Sequence, residues 1–75
     1  MERLRVLSGR DVTQILERNG FVEVRRHGSH IVMQRRVAAG TITLPVPDHY
    51  ELKRGTLAAI VRQSRVPRGE FEEEE

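Results

Sequence analysis

Residues 8–19 carry the pattern of a short amphipathic helix. Ser8 stands where an N-cap is expected, and Asp11 lies three residues later, at the second position of a capping box. The apolar residues that follow recur at the spacing of one helix face, namely Val12, Ile15 and Leu16. Asn19-Gly20 then favours a left-handed stop, so we predict a helix that begins near Ser8 and ends near Asn19.

Three strands are predicted after this helix. They cover residues 21–26, 29–35 and 41–46, and they are joined by turns at His27-Gly28 and over residues 36–40. The third segment alternates apolar and polar residues strictly, which predicts that Ile42, Leu44 and Val46 face a core. Pro45 indicates that this strand lies at an exposed edge or ends there.

A second amphipathic helix is predicted from near Lys53 to about Ser64, after a loop over residues 47–50. The order α-β-β-β-α with short connections predicts a three-stranded antiparallel sheet with two helices on one face. This is a double-stranded-RNA-binding-domain-like α+β fold, and it leaves the other sheet face open. We expect residues 1–69 to form this single domain and residues 70–75 to form an acidic C-terminal tail. The predicted core consists of Ile15, Leu16, Ile42, Leu44, Leu57, Ile60 and Val61.

The composition removes several classes of protein. The chain has 75 residues and no cysteine, which excludes a disulfide framework and a cysteine-based zinc site. Its apolar runs are far shorter than the roughly 20 residues that span a membrane, and no charged segment followed by an apolar one suggests export. We therefore expect a soluble, cytoplasmic domain with no membrane partner.

Charge is distributed unevenly along the chain. Five of the eleven acidic residues fall after residue 69, so residues 1–69 carry thirteen basic side chains against six acidic ones. Twelve of the thirteen are arginine, which forms bidentate contacts with phosphate. A strongly basic body favours a polyanionic partner, nucleic acid first. The alternative is that these charges only keep a small domain soluble.

His30 is the first candidate for catalytic chemistry. Alternation in the second strand places Ile31 and Met33 on one face and His30 on the other. If Ile31 and Met33 join the core, His30 projects from the open face beside basic side chains. An imidazole in such a setting can accept or donate a proton near neutral pH, and RNA supplies its own nucleophile in the 2′-hydroxyl. The alternative is an ordinary surface histidine in a hairpin.

A metal site is only weakly indicated. Its ligands would be His27, His30 and His49, but the first two lie across a turn rather than on one helix face, and no cysteine completes the set. We therefore predict no metal ligands and no cofactor. The more ordinary role for Gly28 is to accept a positive φ in the hairpin turn.

The start of the second helix is a candidate phosphate site. Free backbone N–H groups and the positive helix end coincide there with two cations, in the segment Lys53, Arg54, Gly55 and Thr56. A solvated first helical turn explains the same residues. Arg25 and Arg26, at the end of the first strand, are further candidates for contacts with an RNA backbone.

Five segments follow one another along the chain in a characteristic order and spacing. They are Asn19-Gly20-Phe21, Gly28-Ser29-His30, the segment TLPV at residues 43–46, ELKRGTL at 51–57 and IVRQ at 60–63. Together they resemble the HicA-type (YcfA-like) toxins, the small mRNA interferases of type II toxin–antitoxin pairs. The resemblance spans about residues 8–71.

The resemblance implies a metal-independent endoribonuclease that cleaves mRNA with a single catalytic histidine and is inhibited by a HicB-type antitoxin. His30 matches the family's catalytic histidine, and Gly28 and Ser29 match the residues before it. The family's L-K-P-G-T-L segment falls on residues 52–57, with Arg54 where proline is usual. The residues alone leave two other functions open: a catalytically silent basic RNA-binding domain, and an interaction module for an acidic protein partner.

Overall fold

The computed structural model describes residues 3–72 and has the predicted element order. Its elements are helix α1 (Gly9–Arg18), strands β1 (Val22–His27), β2 (His30–Val37) and β3 (Gly40–Pro47), helix α2 (Arg54–Ser64) and a 3₁₀ helix (Arg68–Phe71). The strands form one antiparallel sheet in the order β1-β2-β3, so the predicted α+β fold with an open three-stranded sheet is confirmed. Within the described residues, neither helix is long and apolar enough to cross a membrane.

The predicted capping box defines the start of α1. The Asp11 N–H donates to Ser8 Oγ at 3.0 Å, and the Ser8 N–H donates to Asp11 Oδ2 at 3.0 Å. These two bonds satisfy N–H groups that a helix start leaves open. The backbone hydrogen bond from Ser8 is the main cause that holds the pKa of Asp11 below its ordinary value. At the other end, Gly20 adopts φ +91° and turns the chain into β1.

The two helices and the inner face of the sheet share one apolar core. Its buried members are Leu4, Leu7, Val12, Ile15, Leu16, Phe21, Ile31, Met33, Leu44, Val46, Leu52, Leu57, Ile60, Val61, Val66 and Phe71. Six of the seven predicted core residues are among them. The exception is Ile42, which is only partly buried, because it lies opposite Arg35 near the β2–β3 turn, at the margin of the core.

The segment after α2 packs back onto the domain. Phe71 is fully buried, and its carbonyl accepts a hydrogen bond from the Arg5 N–H at 2.8 Å. Leu4 and Glu72 form an antiparallel bridge beside this bond. The packed structure therefore extends to Glu72, three residues past the predicted boundary at residue 69. Residues 73–75, the rest of the predicted acidic tail, lie outside the described residues.

Candidate functional site

The β1–β2 hairpin fixes the position of His30. A two-residue turn, Gly28-Ser29, connects the strands, and His27 and His30 close it as directly opposed residues. Gly28 has φ +62°, a left-handed conformation that glycine adopts without steric cost. The turn lies one residue later than the predicted His27-Gly28, because His27 still pairs within the ladder.

The register of β2 sorts its side chains onto two faces. Ile31 and Met33 oppose Val46 and Leu44 of β3, and all four side chains are buried in the core. His30 alternates with them, so it is exposed and projects from the outer face of the sheet, on which neither helix of residues 3–72 packs. The structure thus places His30 on the open sheet face, at the hairpin end of the middle strand.

The two arginines of β1 lie on opposite faces of the sheet. Arg25 opposes Val32 and therefore shares the outer face with His30, as its diagonal neighbour across the strands. Arg26 opposes Ile31 on the inner face, and its Nη1 donates to Asp48 Oδ2 at 2.8 Å. The structure brings Arg25 together with His30 and holds Arg26 away from it.

Asp48 joins three elements at this end of the sheet. Its N–H donates to the Ser29 carbonyl at 2.7 Å, its carboxylate accepts from Arg26, and Oδ1 lies 3.8 Å from Arg10 Nε of α1. The hydrogen bond from Arg26 is the main cause that holds the pKa of the Asp48 carboxyl below its ordinary value, and the charge of Arg10 acts in the same direction. The backbone N–H of Asp48 therefore anchors the loop after β3 to the hairpin turn, and its ionised carboxylate anchors the loop to β1 and α1.

An open cleft of about 410 Å³ adjoins this anchor. It is lined by Ser8, Arg10, Asp48, His49 and Tyr50. The Gly9 N–H donates to the His49 carbonyl at 2.8 Å and fixes the loop against the start of α1. Tyr50 is fully exposed at the cleft, and an exposed aromatic ring beside a cation can stack with an unpaired base. Sequence analysis missed Tyr50, since a single tyrosine in a loop carries no pattern.

The start of α2 presents backbone N–H groups without a side-chain cap. Lys53 is the N-cap residue in an extended conformation, and no acidic residue occupies the first turn. Lys53, Arg54 and Gly55 are exposed, and Thr56 is half-buried. This segment follows the loop of residues 48–52, and within residues 3–72 no hydrogen bond or ion pair joins it to His30.

The three histidines do not gather around one point. His27 and His30 oppose each other across the hairpin, whereas His49 lines the cleft beside α1. In the part of the chain that the structure describes, no group of three histidine, cysteine or acidic side chains is placed to hold a metal ion.

Together, the fold and these residues define a class of protein: a small basic α+β domain whose open sheet face carries an exposed histidine and arginine. A family model described as the HicA toxin of bacterial toxin–antitoxin systems matches residues 9–66. The chain therefore belongs to the HicA toxin family, as the sequence motifs predicted, and membership of such a family implies an antitoxin partner. No curated protein and no solved structure matches the chain.

Proposed function

We propose that this toxin is an mRNA interferase, a metal-independent endoribonuclease that acts in the cytoplasm and is inhibited by a HicB-type antitoxin. The observation that carries the proposal is the position of His30. It is exposed on the open face of the middle strand, beside Arg25, in a chain of the HicA toxin family. A buried histidine could not reach the backbone of an RNA strand.

In the proposed reaction, His30 acts as the general base. Its neutral imidazole takes the proton of a ribose 2′-hydroxyl while the 2′-oxygen forms a bond to the adjacent phosphorus. The bond from phosphorus to the 5′-oxygen breaks, which leaves a 2′,3′-cyclic phosphate on one fragment and a 5′-hydroxyl on the other. The nucleophile belongs to the substrate, so the protein has to supply positioning, proton transfer and charge stabilisation.

Cations and exposed backbone groups supply the proposed contacts to RNA. Arg25 lies diagonally across from His30, where a guanidinium can stabilise negative charge on the phosphate under attack. Gly28 and Ser29 form an exposed turn with little side-chain bulk, which lets an RNA backbone approach the hairpin. The uncapped start of α2, with Lys53, Arg54, Gly55 and Thr56, binds a further phosphate of the strand.

The test is His30→Ala assayed on labelled RNA. Because the side chain is exposed, the variant should keep the circular dichroism, melting temperature and RNA affinity of the wild type. Cleavage should fall about 10²-fold or more, the usual size of a general-base contribution. Thr41→Ala is the matched control, since Thr41 is exposed on the same sheet face at the opposite end of the ladder. Wild-type cleavage should survive EDTA, and 2′-deoxyribose at the cut position should block it.

Three outcomes would contradict this proposal. A wild-type complex with RNA that never yields product would favour a silent RNA-binding domain instead. Near-normal cleavage by His30→Ala, with His49→Ala inactive, would move the chemistry to the cleft. Loss of wild-type cleavage in EDTA would mean that the reaction depends on a metal ion.

A further inference from the structure

His27 is the residue directly opposite His30 in the β1–β2 ladder. Side chains of opposed residues lie on the same sheet face with Cβ atoms about 4.5–5.5 Å apart. Both imidazoles are exposed, and the two-residue turn at Gly28-Ser29 fixes the pairing. The open face therefore presents two proton-transferring groups side by side rather than one.

We propose that His27 is the general acid that protonates the departing 5′-oxygen, as the partner of His30 in the same turnover. This inference rests on the proposed ribonuclease function. It adds a second catalytic residue outside the Gly28-Ser29-His30 motif from which that function was first inferred.

The chemistry of the reaction calls for such a group. When His30 removes the 2′-proton, the 5′-oxygen of the next nucleotide leaves as an alkoxide unless something protonates it. An alkoxide is a poor leaving group in water near neutral pH, so a positioned acid accelerates the step. The reaction then balances within the pair: one imidazole gains the 2′-proton, the other gives a proton to the 5′-oxygen, and solvent later restores both.

The neighbours of His30 on the outer face leave His27 as the donor. Across β3, His30 faces Pro47, with Pro45 on the diagonal, and neither carries an ionisable group. Across β1 it faces His27 directly and Arg25 on the diagonal. Arginine remains protonated in proteins, so Arg25 stabilises charge but does not transfer a proton. Among these ladder neighbours, His27 is the one whose side chain can give up a proton and take it back.

The experiment compares two substrates in the presence of EDTA, which prevents a metal ion from bridging the two imidazoles. One is ordinary RNA, and the other carries sulfur in place of the bridging 5′-oxygen at the cut site. A thiolate leaves without protonation, so it makes a general acid unnecessary. His27→Ala and His27→Gln are assayed beside His30→Ala, with Thr41→Ala as the control and thermal melts to establish folding.

We expect the His27 variants to cleave ordinary RNA about 10²-fold more slowly and to cleave the sulfur-containing substrate within a few-fold of wild type. His30→Ala should be slow on both substrates, because each still needs the 2′-proton removed. In pH–rate profiles, the His27 variants should lose the decline at high pH, where an acid becomes deprotonated. His30→Ala should lose the rise at low pH, where a base becomes free.

Failure of this inference is distinguishable from failure of the proposed function. Normal cleavage of ordinary RNA by the His27 variants, with His30→Ala slow, would overturn the role of His27 alone. Equal losses on both substrates in the His27 variants would also overturn it, since they indicate a role in binding or structure. A wild-type protein that cleaves neither substrate would instead overturn the ribonuclease function itself.

Discussion

At the scale of single residues, Asp48 determines how the candidate site is held together. Its backbone N–H bonds to the Ser29 carbonyl, and its carboxylate pairs with Arg26 of β1 and Arg10 of α1. Ser29 precedes His30, so the loop that Asp48 fixes contacts the residue next to the proposed base. Asp48 is thus a positioning residue for the hairpin end of the sheet.

Asp48→Asn should destabilise the protein in a pH-dependent manner. The folded-state pKa of Asp48 lies below the ordinary value of 3.8, so the stabilisation it provides is fully present above that value. It is lost as the pH falls through the lower, folded-state pKa. Thermal melts should therefore show a lower melting temperature for the variant at pH 7, and a gap from wild type that closes below about pH 4.

Glu51→Gln is the matched control for this experiment, since Glu51 is an exposed carboxylate in the same loop. Its melting temperature should follow that of the wild type at every pH. An Asp48→Asn deficit of constant size from pH 7 to pH 3 would indicate that the carboxylate's charge is not what stabilises the loop.

At the scale of elements, the start of α1 is docked tightly against the end of β3. The Gly9 N–H donates to the His49 carbonyl, and a Cβ added at Gly9 would overlap the carbonyl oxygen of Pro47. Both contacts are with backbone, which cannot rotate away as a side chain can. The close approach sets the distance between the helix layer and the hairpin end of the sheet.

Gly9→Ala should therefore cost about 1–3 kcal/mol of unfolding free energy, the range for an atom forced into a packed interior. Chemical denaturation measures this value. Gly55→Ala is the matched control, since Gly55 also lies in the first turn of its helix and a Cβ there would meet nothing within 4 Å. It should leave stability unchanged or raise it slightly. Equal unfolding free energies for Gly9→Ala and the wild type would show that α1 can move away from β3.

Elements that depend on local sequence could be predicted, and contacts that depend on tertiary packing could not. The capping box of α1 and the alternation around His30 were readable because each is encoded within a few neighbouring residues. That Arg25 takes the outer face and Arg26 the inner one depends on a register that shifts at a bulge between Glu23 and Arg25, and period-2 counting along β1 cannot locate this shift. The burial of Phe71 was missed because the residue lies between two glutamates in the short segment after Pro67, a polar context that gives no sign of a core position.

The candidate site likewise combines features that local sequence predicts with contacts that depend on tertiary packing. The hairpin position of His30 was predicted from the segment around it, whereas the anchor formed by Asp48 joins residues 22 and 38 positions away along the chain. No pattern within a single segment of the sequence predicts ion pairs between residues so far apart. His27 was considered only as a turn residue or a weak metal ligand, because its pairing with His30 becomes evident once the turn is placed at Gly28-Ser29.

At the scale of the whole molecule, the excess of basic side chains should make RNA binding strongly salt-dependent. Each phosphate neutralised on a single strand contributes about −0.7 to the slope of log affinity against log salt. Replacing both Lys53 and Arg54 by alanine should therefore flatten the slope by about 1.4 if each contacts one phosphate. Fluorescence anisotropy with a labelled oligoribonucleotide across a salt series measures it.

A second double variant, which removes two positive charges elsewhere on the surface, separates phosphate contacts at the start of α2 from the effect of net charge on RNA binding. Arg18 and Arg62 are exposed residues in the last turns of α1 and α2. Replacing both by alanine should lower affinity slightly and leave the slope close to that of the wild type. Equal flattening in the two double variants would show that net charge, and not the start of α2, governs binding.

We predict that an antitoxin inhibits the protein by covering its open outer face. A basic face that carries His30 and Arg25 suits an acidic partner surface, since complementary charge speeds association and fixes orientation. Co-expression with the product of the neighbouring gene should yield a complex in which His30 and His27 react with diethyl pyrocarbonate at least ten-fold more slowly than in the free toxin. Mass spectrometry of the modified peptides measures each rate, and the unfolded complex provides the reference. A stable complex in which both histidines react as fast as in the free protein would mean that the antitoxin binds elsewhere and inhibits without covering the sheet.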